Sequence, residues 1–216
     1  EPDTWHIVVQ QTASWDEAEA KTITEAAIRA LREFGVFARE EDFKPFTGMG
    51  ENRFVGGVAE KYGKPFVPEM KTRAYEIYGQ IVDQHLKVYP GTHGALRALA
   101  GYKLALASSA DLVKVRHNLR VANIPFSTFQ AMVTAEDVEH KKPDPAIFLK
   151  AAEKLGLPSA RCVAIDDAIA GVQAGKAAGC YTIGVTTAFP AETLLRAGAD
   201  CAIAEIGELP ALLARK

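Results

Sequence analysis

The sequence predicts an α/β protein, a Rossmann-like parallel sheet core interrupted by an inserted all-helical domain, and three observations predict it. From Pro90-Gly91 onward, short apolar runs alternate with helix-spaced segments, which is the pattern of a parallel sheet with helices on both faces. One further apolar, β-branched run, His6-Ile7-Val8-Val9, stands alone near the start. Between that run and Val88 the spacing stays helical, so residues 15–88 are expected to form the insert, and 1–14 with 89–216 the core.

The elements follow in order. Ala18, Ile23, Ala27, Ile28, Leu31 and Phe34 recur at helical spacing, and Gly35 supplies the stop signal. Gly48-Met49-Gly50, Gly63-Lys64-Pro65 and Pro68 cut the rest of the insert into pieces. In the core, strands are expected at 104–107, 131–134, 163–165, 181–185 and 201–204, with helices over 113–119, 145–155 and 168–178 and from Ala191.

Composition narrows the function. With 216 residues, 48% of them apolar, the chain can bury a real core as one domain or as a core plus insert. A net charge of −2 gives no general attraction for nucleic acid or an anionic membrane, and no run approaches the roughly 20 apolar residues of a membrane span. Cys162, Cys180 and Cys201 are widely spaced and suggest neither a disulfide framework nor a zinc site, which fits a reducing compartment, cytoplasmic or plastid. No signal peptide is seen, and a start at Glu1 rather than Met suggests a processed chain or a piece of a longer one. His6, His85, His93, His117 and His140 lack metal-ligand spacing, and Trp5 and Trp15 read most simply as packing residues.

Three groups of residues at strand ends point to phosphate chemistry, because ligands of such sheets gather at the carboxyl ends of the strands. Ser108 and Ser109 follow the apolar run Leu104-Ala105-Leu106-Ala107, where a hydroxyl and nearby N–H groups can meet a phosphate oxygen. Lys142 lies in Lys-Pro-Asp-Pro, whose prolines fix the backbone, with Phe148 in the following helix as an anchor. An ammonium there would stabilise a transferring phosphoryl group. Asp166 and Asp167 close another apolar run, and the repulsion of adjacent carboxylates is most simply relieved by a cation such as Mg²⁺, with helix capping as the ordinary alternative. Gly171, Ala174, Gly175 and Ala178 at helical spacing would let the next helix lie close to the sheet, and Gly171 to Lys176 is not a phosphate-cradling loop.

Taken together, Leu-Ala-Leu-Ala-Ser108-Ser, Lys142-Pro-Asp-Pro-Ala-Ile-Phe and Ile-Asp166-Asp167-Ala-Ile-Ala-Gly-Val-Gln-Ala-Gly resemble the haloacid dehalogenase (HAD) superfamily, in its β-phosphoglucomutase-like branch. The insert resembles that branch's cap domain, and the stretches beginning at Phe46 and at Ser108 are similar to a plant member. The resemblance implies Mg²⁺-dependent phosphoryl transfer, with Ser108 and Lys142 on the phosphate, Asp167 on the metal and Asp166 beside it as a second ligand or water holder. Glu51 and Arg53, after Gly48-Met49-Gly50, are the cap residues expected to face a substrate, Arg53 being able to grip a sugar or an acid.

At the first strand the pattern breaks. The family places a nucleophilic Asp at that strand's end and an acid/base Asp two residues later, and here those positions carry Val9 and Gln11. Lys21 stands where the branch's mutases use a hinge His. The expectation is a catalytically impaired domain that binds a small phosphorylated metabolite or a protein partner, with Mg²⁺ binding weakened. An active phosphatase or phosphomutase on a small phosphate ester is the alternative, and a first segment altered from an active parent also fits.

Overall fold

Among the described residues, six strands form a single parallel sheet in the order β3-β2-β1-β4-β5-β6. The computed structural model describes the backbone of residues 6–9, 17–46 and 51–214, and the side chains of 21–46 and 51–214. Its first half runs β1 (His6–Val9), α1 (Glu17–Glu33), α2 (Glu51–Lys61), α3 (Pro68–Ile81), α4 (Thr92–Ala98), β2 (Leu104–Ala107), α5 (Leu112–Val121) and β3 (Ala131–Val133). Then come α6 (Ala146–Leu155), β4 (Cys162–Asp166), α7 (Ile169–Ala177), β5 (Tyr181–Val185), α8 (Ala191–Arg196), β6 (Cys201–Ile203) and α9 (Leu209–Leu213).

The chain divides into two compact units, and 1–14, 87–109 and 123–216 make the α/β unit. Its strands grow outward from β1, first to β2 and β3 on one side and then to β4, β5 and β6 on the other, so the strand order reverses at β1. All five residues of β4 are buried, as expected of a parallel strand covered on both faces. Ala105, Ala107, Ala164 and Val133 turn one face of the sheet toward Phe148, Ala151 and Leu155 of α6 and Ala174 of α7. Alanines on the strands let these helices lie close. At Gly175 of α7 an added Cβ would come within 2.8 Å of the Ala164 methyl. Cys162 and Cys180 are buried in this layer and Cys201 is half-buried, all three as free thiols. Burial pushes both buried thiols up, Cys180 to about 12.

Residues 15–86 and 110–122 make the second unit, whose described elements are helical. Ile23, Ala27, Ala30 and Leu31 of α1 and Met70, Ala74, Ile77 and Tyr78 of α3 are buried at the expected spacing. The stop at Gly35 is a left-handed residue (φ 77°), with Val36 N–H donating to Leu31 O and Gly35 N–H to Arg32 O, the double bond of a Schellman end. Alternation alone assigns 110–122 to the α/β part, but in the structure this segment groups with the helical unit. Specific bonds tie α5 and the residue before it to α3 and the turn after it: Tyr78 Oη to Asn118 at 2.7 Å, Lys71 to Asp111 at 3.0 Å, and Arg120 to Asp83.

A second cluster of charge sits in this unit. Asp42 accepts from Lys61 Nζ at 2.5 Å, from Tyr62 Oη at 2.7 Å and from the Arg39 N–H at 2.8 Å. These bonds, led by Lys61, hold its carboxyl well below the usual carboxylate range.

Candidate functional site

The site is built where β4 ends. A strand buried on both faces carries Asp166 as its last residue, so the carboxylate arrives in the interior and must find donors there. It finds two. Oδ2 accepts from Lys142 Nζ at 3.0 Å, and Oδ1 accepts from the Ala168 N–H at 2.9 Å just ahead of α7. The Asp166 side chain is 0% exposed and that of Lys142 6%, which makes this a buried ion pair.

Lys142 is held from several sides. Its Nζ lies 5.1 Å from the centroid of Phe148, a fully buried ring on α6, and the Lys142–Pro143 peptide is cis. Burial pushes the ammonium down against the opposing pull of the Asp167 carboxylate, and the two together leave it at about 7. Contact with Asp166 acts in that same raising direction.

Gly171, in the first turn of α7, is what leaves room for the pair. A Cβ there would fall 1.7 Å from Asp166 Oδ2 and 1.8 Å from its Cγ, so any larger residue would displace the carboxylate. Asp167 is half-buried, and its Oδ2 accepts from the hydroxyl of Thr187 at 3.1 Å, on the loop after β5.

Ser108 is buried and follows β2 directly, with its N–H donating to Val133 O at 2.9 Å. That amide continues the β2–β3 ladder. Ser109 is half-buried beside it. Val9 pairs in register with Leu106 on one side and Ile165 on the other, so the end of β1 lies level with the residue before Asp166. The Val9 side chain and all of Gln11 lie outside the described residues.

The two cap candidates belong to the helical unit. Glu51 opens α2 and is half-buried, while Arg53 pairs with Glu60 at 2.9 Å and lies 5.5 Å from the Phe46 ring centroid. The Arg53 guanidinium therefore rests along α2 and its neighbouring aromatic ring.

Whether these residues suit a divalent cation follows from the donors. Among the described residues, no group of three or more His, Cys, Asp or Glu is placed to hold a metal ion. Both Asp166 oxygens are engaged, one of them by a cation. Asp167 alone makes a poor site for Mg²⁺, which prefers octahedral oxygen ligation. The described partners of Asp166 are Lys142 and the amide of Ala168, the residue before α7.

Thr187 and the demand on Gly171 were both missed from sequence. The available signal for Thr187 was its position just beyond the carboxyl end of an apolar strand, where this sheet's ligands gather. For Gly171 only its closeness to the sheet was legible, because the clash is with a side chain five residues earlier.

The sequence model of the haloacid dehalogenase-like hydrolases matches residues 5–179. The chain belongs to this family. Over 193 residues it is 42% identical to the SUPPRESSOR OF QUENCHING 1 protein, chloroplastic, of Arabidopsis thaliana, covering 85% of this chain and 18% of that protein. It is 32% identical to a phosphorylated carbohydrates phosphatase of Thermotoga maritima, covering 72% of this chain and 78% of that one. The chain therefore spans about a fifth of the plant relative's length and most of the bacterial one's. Among solved structures, CbbY of Rhodobacter sphaeroides in complex with phosphate superposes with a TM-score of 0.76 at 24% identity, over 96% of each chain. A β-phosphoglucomutase-like protein of Thermotoga maritima superposes at 0.73, over 98% and 99%. HAD-family phosphatases generally use Mg²⁺, and no helix among the described residues is long and apolar enough to cross a membrane.

Proposed function

We propose that this chain is a HAD-family domain that binds a small phosphate ester and turns it over very poorly. The observation that carries this reading is the pairing of β1 with β4. The end of β1 is level with Ile165, one residue before the Lys142–Asp166 pair, and the residues there are Val9 and, two later, Gln11. Neither offers a carboxylate. Without a covalent nucleophile the family's main route is closed, a loss of several powers of ten in rate.

What remains supports binding. Lys142 supplies a cation in a water-poor setting, where its attraction for a phosphate oxygen is strengthened, and Ser108 and Ser109 follow β2, on the other side of β1 from β4. An arriving phosphate competes with Asp166 for Lys142. Mg²⁺ enters this reading as a weak ligand of Asp167, so 10 mM Mg²⁺ is expected to raise the melting temperature by less than about 2 °C. Free thiols and the chloroplastic relative support a reducing compartment, the plastid among them.

The test is Mg²⁺-dependent phosphate release from a panel of small phosphate esters by the native chain and a Val9→Asp, Gln11→Asp double variant. The variant is expected to exceed the native chain by at least about a thousandfold on its best ester. Clear turnover by the native chain, abolished by Asp167→Ala, would overturn the reading and mark the domain as an active phosphatase or phosphomutase.

A further inference from the structure

The α/β unit carries a second concavity at the opposite, amino-terminal ends of β2 and β3. It is a cleft of about 370 Å³, within the ~300–1,000 Å³ of small-molecule sites, and it is separate from the strand ends that hold Ser108 and Asp166. One wall is a face of α4 continued past its end, where His93, Leu96, Arg97 and Ala100 recur at i, i+3, i+4 and i+7. The floor is apolar, made by the buried Leu104 and Ile124. The far wall is the segment leading into β3. It is fastened to the sheet by Gln130, whose Oε1 accepts from the Leu104 N–H at 2.6 Å and whose own N–H donates to Leu104 O at 2.8 Å.

The electrostatics select the ligand. Arg97 lines the cleft and is exposed, donating to no acceptor among the described residues, and no Asp or Glu is among the lining residues. The cleft thus presents one permanent cation, with His93 one turn before it and Tyr102 beside it as further polar side chains. A guanidinium fork matches a carboxylate in a bidentate way, and a single cation balances a monoanion better than a dianionic phosphate ester.

We propose that this cleft is a binding site for a small monocarboxylate with an apolar body, the carboxylate on Arg97 and the body on Leu104 and Ile124. It is independent of the phosphate-ester reading above, since the two sites share no residue.

The test is a titration of the ¹⁵N-labelled native chain followed by amide chemical shifts, with benzoate as the probe and benzyl alcohol and phenyl phosphate as comparisons. Saturable benzoate shifts are expected at residues 96–104 and 123–130, with benzyl alcohol at least about tenfold weaker. Arg97→Gln should weaken benzoate about tenfold or more, and Arg97→Lys, which keeps the charge and loses the fork, by a smaller factor. Both variants change an exposed side chain and should keep the native spectrum elsewhere. Shifts that do not saturate, that scatter over the surface, or that survive Arg97→Gln would overturn the assignment. So would tighter binding of phenyl phosphate than of benzoate in this cleft. Phenyl phosphate shifts around Ser108 and Lys142 report on the other site, so either reading can fail without the other.

Discussion

Each unit of this protein holds a carboxylate against a lysine, and the two pairs are built on different terms. Asp166 and Lys142 are 0% and 6% exposed, 24 residues apart in sequence. In the helical unit, Asp42 is 7% exposed but its Lys61 is 52% exposed. Asp42 also takes a main-chain N–H and a tyrosine hydroxyl, so its charge is spread over three donors, with the lysine left largely in water. A half-wet cluster of that kind stabilises modestly and tolerates change. A fully buried pair is different, because taking both charges out of water costs nearly what their attraction returns, and removing one partner strands the other. The helical cluster is the sort of arrangement that serves folding, whereas the pair at β4 is a costly one held at the candidate site.

The sharpest way to break that contrast is Gly171→Ala. The new methyl would overlap the Asp166 carboxylate, forcing it off both of its partners, and the expected loss is about 4 kcal/mol or more in chemical denaturation. A stable variant with native spectra would mean that the pair is not where the geometry has it. Next in size is Lys142→Met, which leaves Asp166 buried without its cation and should cost about 3–5 kcal/mol. Adding Asp166→Leu should recover most of that loss, since an apolar pair carries no desolvation cost; failure to recover would show that the ion pair itself stabilises the fold.

The smallest effect belongs to the exposed cluster and is read from pH. The Asp42 carboxyl is lowered in the folded protein, so its contribution is fully present above the unfolded value of roughly 4 and is lost as pH falls below it toward the folded one. Melting curves between pH 6 and pH 3 should therefore show a decline in the native chain that Asp42→Asn flattens. Equal slopes in the two proteins would assign the acid sensitivity elsewhere.

The sequence made the framework legible wherever local pattern and burial agree. β1, β2 and β5 have the expected bounds because each is a short, largely apolar run in a parallel sheet, with β2 buried throughout and β5 buried from Thr182 onward. α7 was legible from its small residues. The short helices α4 and α9, of seven and five residues, were not, since so few turns leave no readable period. At the site, the residues were legible and their partners were not. Asp166 reads equally well as metal ligand or helix cap until the topology brings Lys142 against it, and its bond from the Ala168 N–H is a local turn ahead of α7. The regrouping of 110–122 has the same origin, since Tyr78–Asn118 and Lys71–Asp111 join residues 40 apart.

The central strand of the sheet matters beyond the site. β1 is bonded along both of its edges, to β2 and to β4, and those bonds belong to its backbone. The strand is thus indispensable to the architecture, and its pairing is carried by main-chain groups that every residue type but proline supplies in full. Screens that score expression, solubility or melting temperature read that pairing and not turnover, so catalogues of sequence variants sorted by such measures will pass over the two positions, Val9 and Gln11, where chemistry is proposed to be gained or lost.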